Sequence, residues 1–138
     1  MHITSDFQRC YSNNLMEVFK EIPFVPELRV GKKRIDLGTQ DGQYGIEIKS
    51  CHSDLKSGAG LNQEEFEYGY VACPKELVCY AIGYLYVNGM KKTGVLLIEH
   101  DGVSLIKPAI WNHEKCRTRP IIYIKQYFSD EITRILQG

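Results

Sequence analysis

An α+β fold, with a mixed central sheet flanked by helices, is what this sequence predicts. Three observations carry that expectation. A helical run opens the chain, three strand-like runs divided by glycine turns follow, and strand-like and helix-like runs then alternate toward the C-terminus. The 138 residues, 43% hydrophobic and 25% charged, suit one domain spanning 1–138 with a real core.

The first helix is expected over residues 5–22, "SDFQRCYSNNLMEVFKEI". Ser5 or Asp6 can cap its start. Phe7, Tyr11, Leu15, Val18, Phe19 and Ile22 recur at helical spacing, and Pro23 and Pro26 turn the chain extended. "PELRV", "KRIDLG" and "YGIEIKS" then read as three strands. Gly31-Lys32 and Asp41-Gly42 supply two-residue turns between them, the second being a strong type I′ signal. "SDLKSGAGLN" is polar and glycine-rich, hence a loop with room for one helical turn. "FEYGYVAC" reads as a fourth strand. "PKELVCYAIGYLYVNG" reads as a helix, with Pro74 at its first position and Gly89 just past its end. "GVLLIEH" and "VSLIKPA" form a hairpin about Asp101-Gly102. "IIYIKQYFSDEITRILQ" closes the chain as a helix, its β-branched start leaving a strand open there.

Formal net charge is zero, so no global field points to nucleic acid, although a local basic patch remains compatible. No apolar run is long enough to span a bilayer, so no membrane partner is expected. "MHITSDFQRC" has neither the basic nor the apolar region of a signal peptide. Five scattered cysteines without a C-x-x-C fit reduced thiols, and a cytoplasmic location is expected.

The two turns fix a register. Asp41-Gly42 pairs Gln40 with Gln43, and counting outward sets Leu37 against Ile46, Asp36 against Glu47, Ile35 against Ile48 and Arg34 against Lys49. Gly31-Lys32 pairs Val30 with Lys33, Leu28 with Ile35 and Glu27 with Asp36. Alternation then gives an apolar row of Leu28, Ile35 and Ile48 on one face. On the other lie an acidic row, Glu27, Asp36 and Glu47, and a basic row, Arg29, Arg34 and Lys49. Like charges directly opposite are destabilising, on the scale of the ~0.2–1 kcal/mol of a cross-strand pair. A solvated salt-bridge lattice between the rows would relieve the repulsion. So would a divalent cation, hard oxygen ligands suiting Mg²⁺ or Mn²⁺.

Asp36, followed by Glu47-Ile48-Lys49, resembles the D…(D/E)-x-K signature of the PD-(D/E)XK nuclease superfamily, whose core is restriction-endonuclease-like. The acid falls on the second strand of a meander and E-x-K on the third, after a helix, as in that core. "VPELRVGKKRIDL" and "EIKSCHSDLKSGAGLNQEEFEYGYVACPKELV" look like short MmcB-type and phage-encoded members, so the likeness covers about residues 24–108. Ile35 stands where the namesake proline often sits.

The resemblance implies a Mg²⁺- or Mn²⁺-dependent nuclease, endo- or exonucleolytic, hydrolysing phosphodiesters in nucleic acid. DNA is the expected substrate, in a repair, recombination or phage context. Asp36, Glu47 and the Ile48 carbonyl would hold the metal, with Glu27 completing the site. Lys49 would activate the attacking water. Asn62 or Gln63 would help from beyond the loop. Lys32, Lys33, Arg34 and Lys56, with Arg117 and Arg119, are candidates for nucleic-acid contact, against solvated surface as the alternative. A homodimer is one assembly the resemblance allows. The chemistry suits these residues independently: a bound metal lowers the pKa of its water, and a lysine places positive charge where negative charge develops. The alternative is a catalytically inactive nucleic-acid-binding or protein-inhibitor module on the same scaffold.

Other candidates are weaker. Cys51-His52 and His113-x-x-Cys116 offer at most half a zinc site. Phe66, Tyr68 and Tyr70 share a strand face and are better read as core than as a base-stacking platform. Glu17 and Glu21 lie beside the apolar stripe of the first helix and are expected in solvent.

Overall fold

The computed structural model describes residues 3–56, 61–115 and 130–137. Helix α1 (Ile3–Val18) leads into strands β1 (Val25–Val30), β2 (Lys33–Gly38) and β3 (Tyr44–Ile48). The short helix α2 (His52–Lys56) and a 3₁₀ turn (Gln63–Glu65) lead to β4 (Tyr68–Cys73). Helix α3 (Lys75–Val87), strands β5 (Gly94–Glu99) and β6 (Gly102–Lys107), a second 3₁₀ turn (His113–Lys115) and helix α4 (Glu131–Gln137) complete the order. The fold is α+β, as the sequence predicts.

The six strands form one mixed sheet in the order β1-β2-β3-β4-β5-β6. The first three make an antiparallel meander, β3, β4 and β5 run parallel, and β6 returns antiparallel. Parallel neighbours need crossovers, and α2 and α3 supply them.

Each face has its own core. Leu15 of α1, Phe19 in the turn after it and Ile132 of α4 pack on Leu37, Ile46, Ile48, Tyr70, Ala72, Leu96 and Ile98. On the other face Leu55 of α2 and Leu77, Ala81 and Leu85 of α3 pack on Val71, Cys73 and Val95. β3 is therefore buried along its whole length. Phe66 is buried too, but it precedes β4 and sits on the face away from Tyr68 and Tyr70, against Gly45. A Cβ on Gly45 would fall 2.4 Å from the Phe66 ring, so only glycine admits that contact.

Three boundaries differ from the sequence reading. Helix α1 ends at Val18, and Phe19–Ile22 continue as a turn that still buries Phe19 and Ile22. The β2–β3 connection closes at Thr39, whose N–H donates to the Tyr44 carbonyl at 2.9 Å, rather than at Gln40 and Gln43. Its hydroxyl accepts the N–H groups of Gln43 (3.1 Å) and Tyr44 (2.9 Å), and this side-chain cap makes the four-residue loop stable. In the last hairpin Glu99 pairs with Gly102, so the turn residues are His100 and Asp101. Of the expected closing element, 131–137 is helical and 121–129 lies outside the described residues.

Candidate metal and catalytic site

The predicted register holds where the ladders are continuous. Leu37 pairs with Ile46 and Gly38 with Gly45, while Val30 pairs with Lys33 and Leu28 with Ile35. The ladder is broken at Asp36, on both sides. Toward β1, the pairing skips Glu27, whose φ of 52° places it in the left-handed region that non-glycine residues rarely adopt. Toward β3, the ladder stops at Leu37–Ile46, and Asp36 and Glu47 are not paired through their backbones.

Carboxylates occupy the gap. Ile48 N–H donates to Asp36 Oδ2 at 2.7 Å, and Asp36 N–H donates to Glu47 Oε1 at 3.2 Å. Each strand thus gives a backbone donor to the other strand's acid, which satisfies groups that would otherwise be orphaned. Glu47 Oε2 also accepts Asn62 N–H at 2.9 Å, and Asn62 Nδ2 donates to the Arg34 carbonyl at 2.9 Å. Asn62 therefore ties the segment after α2 to both strands of the site.

The break also re-sorts the expected apolar row. Ile48 joins the α1 core. Ile35 and Leu28 instead meet Phe66: Ile35 Cγ2, Leu28 Cδ2 and Phe66 Cζ lie 2.8–3.0 Å from where a Cβ on Gly38 would stand. Strict alternation fails because the chain twists at Asp36, where no ladder holds it.

Glu47 is 2% exposed, and its carboxyl is pushed up to about 8. Burial is the largest cause and Asp36's charge the second. The two backbone donors and the charge of Lys49 pull the other way without cancelling them. Lys49 is itself buried, and its N–H donates to the Ala72 carbonyl at 2.9 Å. Buried Glu47 thus feels the charges of both half-buried Asp36 and buried Lys49 where the ladder opens.

Glu27 is less engaged. It is exposed, at the rim, and pairs with Arg34 at 3.6 Å. No group of three or more His, Cys, Asp or Glu residues is gathered for a metal among the described residues. Two carboxylates with waters nevertheless suit Mg²⁺. The Ile48 carbonyl accepts Gln8 Nε2 at 3.2 Å.

The nucleic-acid candidates scatter. Lys33 pairs with Glu65 at 3.2 Å, and Lys32 is exposed. Gln63 is fully buried, its Nε2 donating to Thr93 Oγ1 at 3.1 Å, so it cannot meet a ligand at the surface. The side chain of Lys56, together with Arg117, Arg119 and Cys116, lies outside what the structure describes. His52 stacks on Tyr80 at 4.5 Å, and Tyr68 and Tyr70 are core.

A cleft of about 420 Å³ opens beside Asp36. Glu27, Asp36 and Ile48 line one wall, and Gln8, Arg9, Ser12 and Asn13 of α1 line the other. The α1 wall was not foreseen. Its residues recur at i and i+4 beside the apolar stripe, a spacing that marks one helix face but not what that face meets. Glu17 on the same helix is exposed, and Glu21 pairs with Arg134 at 2.9 Å.

The chain matches no family profile and no curated protein. Among solved structures it is similar to "SPO1766 protein of unknown function from Silicibacter pomeroyi", at a TM-score of 0.57 and 18% identity, over 92% of this chain and 86% of that one. That likeness concerns the fold alone. No helix among the described residues is long and apolar enough to cross a membrane.

Proposed function

We propose that this protein is a Mg²⁺- or Mn²⁺-dependent nuclease, acting on phosphodiester bonds in nucleic acid, with DNA as the first substrate to test. One observation carries the reading: Asp36 and Glu47 enter the same break in the sheet, with Lys49 close enough for its charge to act on Glu47. The strand order supports it as well, since a helix, an antiparallel meander and a fourth strand parallel to the third bring the two halves of the D…E-x-K pattern together.

Asp36 and Glu47 would hold the cation, exchanging their backbone donors for it. When bound, the metal supplies a polarised phosphoryl oxygen and a water acidic enough to attack near neutral pH. Lys49 would place positive charge beside the oxygen on which negative charge develops. Glu27, at the rim, would turn from Arg34 to take a water-mediated place. The test is cleavage of labelled DNA and RNA, single-stranded, duplex and branched, with each metal and with chelator. Metal-dependent cutting that disappears in Lys49→Ala supports the proposal. Equal cutting by that variant would assign the activity elsewhere.

A second reading has its own support. Both carboxylates already accept backbone N–H groups, so they complete the broken ladder without a cation. On that reading the protein keeps a nuclease scaffold as a binding or inhibitory module, and it melts at the same temperature with and without metal.

A further inference from the structure

We infer that the cleft between α1 and the opened β2–β3 edge takes a single strand of nucleic acid, with Arg9 holding one of its phosphates; this rests on the nuclease reading above. The cleft's size is the first ground. About 420 Å³ is in the range of small-ligand pockets and accommodates a nucleotide or two, whereas one groove of B-form DNA is already ~12 Å wide. A duplex would rest on the rim. Asp36 is among the lining residues, so a strand seated in the cleft would bring a phosphate beside it.

The chemistry of the α1 wall is the second ground. Arg9, Ser12, Asn13 and Gln8 present a guanidinium, a hydroxyl and two amides, groups that commonly contact phosphate and sugar. No lining residue among those described is aromatic, so these residues offer phosphate and sugar contacts rather than a base-stacking platform. Recognition would therefore run through the backbone and tolerate any sequence. Arg9 is exposed and makes no ion pair with another described residue, while Arg34 is engaged by Glu27. The neighbouring Gln8 donates to the Ile48 carbonyl at 3.2 Å, which joins this stretch of α1 to the strand bearing Glu47 and Lys49.

The test is fluorescence anisotropy in Ca²⁺, with labelled single-stranded DNA, single-stranded RNA, a blunt duplex and a duplex carrying a flap. Strand and flap should bind about tenfold more tightly than the blunt duplex. Arg9→Ala should weaken strand binding about fivefold and reduce the slope of log K against log salt by about 0.7, with Arg9→Lys restoring most of both. The melting temperature should not change. The DNA and RNA arms say which strand is preferred. A blunt duplex that binds as well as the strand, or a salt slope unmoved by Arg9→Ala, overturns the inference; if metal-dependent cleavage persists, the nuclease reading survives. Arg9-dependent strand binding without cleavage in any metal leaves the inference standing and removes the nuclease. No binding to any of the four removes both.

Discussion

Glu47 and Asp130 are two acids that burial holds above the ordinary carboxylate range, yet their surroundings differ in kind. Asp130 stands at the start of α4. It accepts the N–H groups of Ile132 (3.0 Å) and Thr133 (3.4 Å), the Thr133 hydroxyl (2.9 Å) and the Tyr70 hydroxyl. Tyr70 in turn accepts Ala109 N–H at 3.1 Å. Every element of that network is joined by a donor meeting an acceptor, and no second acid enters among the causes of its shift. Glu47 has two backbone donors, and its second perturbing influence is another carboxylate. Burial alone therefore does not distinguish a functional acid. A saturated set of donors makes Asp130 a helix cap, whereas a like charge faces Glu47, and on the proposed nuclease reading a cation would offset it.

The largest expected difference between the two is in activity. Lys49→Ala and Glu47→Ala should each lower metal-dependent cleavage by about 10²–10³-fold or more, the scale of losing one preorganised electrostatic group. Asp130→Ala should leave the cleavage rate of the folded protein as it is. Cleavage assays at matched folded concentration separate them, and a comparable loss for Asp130→Ala would dissolve the contrast.

Stability should show the reverse order. Asp130→Ala removes the cap of α4 and one acceptor of the Tyr70 hydroxyl, which should cost about 1–3 kcal/mol in urea unfolding. Metal should act at the other acid. Mg²⁺ or Mn²⁺ at about a hundred times its Kd should add ~2.7 kcal/mol to the wild type and to Asp130→Ala alike, and nothing to Asp36→Asn. Thermal melts with chelator and with millimolar metal measure this. A flat response of the wild type would favour the completed-ladder reading of the site.

How much of this could be read in the sequence follows from which physical rule governs each residue. The meander and its register were legible because turn chemistry and two-residue alternation determine them, and Leu37–Ile46 and Leu28–Ile35 pair as counted. Alternation presumes an unbroken ladder, so the break at Asp36 was not legible, nor was the transfer of Ile35 to the Phe66 side. Gly38 and Gly45, inside strand patterns, were a usable warning of close packing by something large, which proved to be Phe66. Gln63 looked like a polar helper because sequence does not reveal that its partner is Thr93, thirty residues away. Arg9 and Asn13 carry no signal of a site in the sequence, since only the tertiary fold sets α1 across from Asp36.

The smallest effect is the most diagnostic, and it concerns pH. The folded-state pKa of Glu47, about 8, is above its unfolded value of 4.5. The folded protein therefore holds this proton more tightly than the unfolded chain. That contribution to stability is fully present below about 4.5, and it is lost as pH rises through about 8, with a slope on the order of 1 kcal/mol per pH unit at most. Repulsion from Asp36 matters only when Glu47 is ionised, so it should appear across the same upper range. Asp36→Asn retains an acceptor for Ile48 N–H while removing the charge. In chelator it should leave stability nearly unchanged at pH 6, and at pH 9 it should raise it by about 0.5–1 kcal/mol. Glu47→Gln should flatten the slope between those pH values. A salt-bridge lattice on this face predicts the opposite sign, a loss of about 0–1 kcal/mol for Asp36→Asn at both pH values. Urea titrations of the three proteins at pH 6 and 9 decide the matter, because a stabilisation confined to high pH requires two acids that face one another, and no capping role for Asp36 produces it.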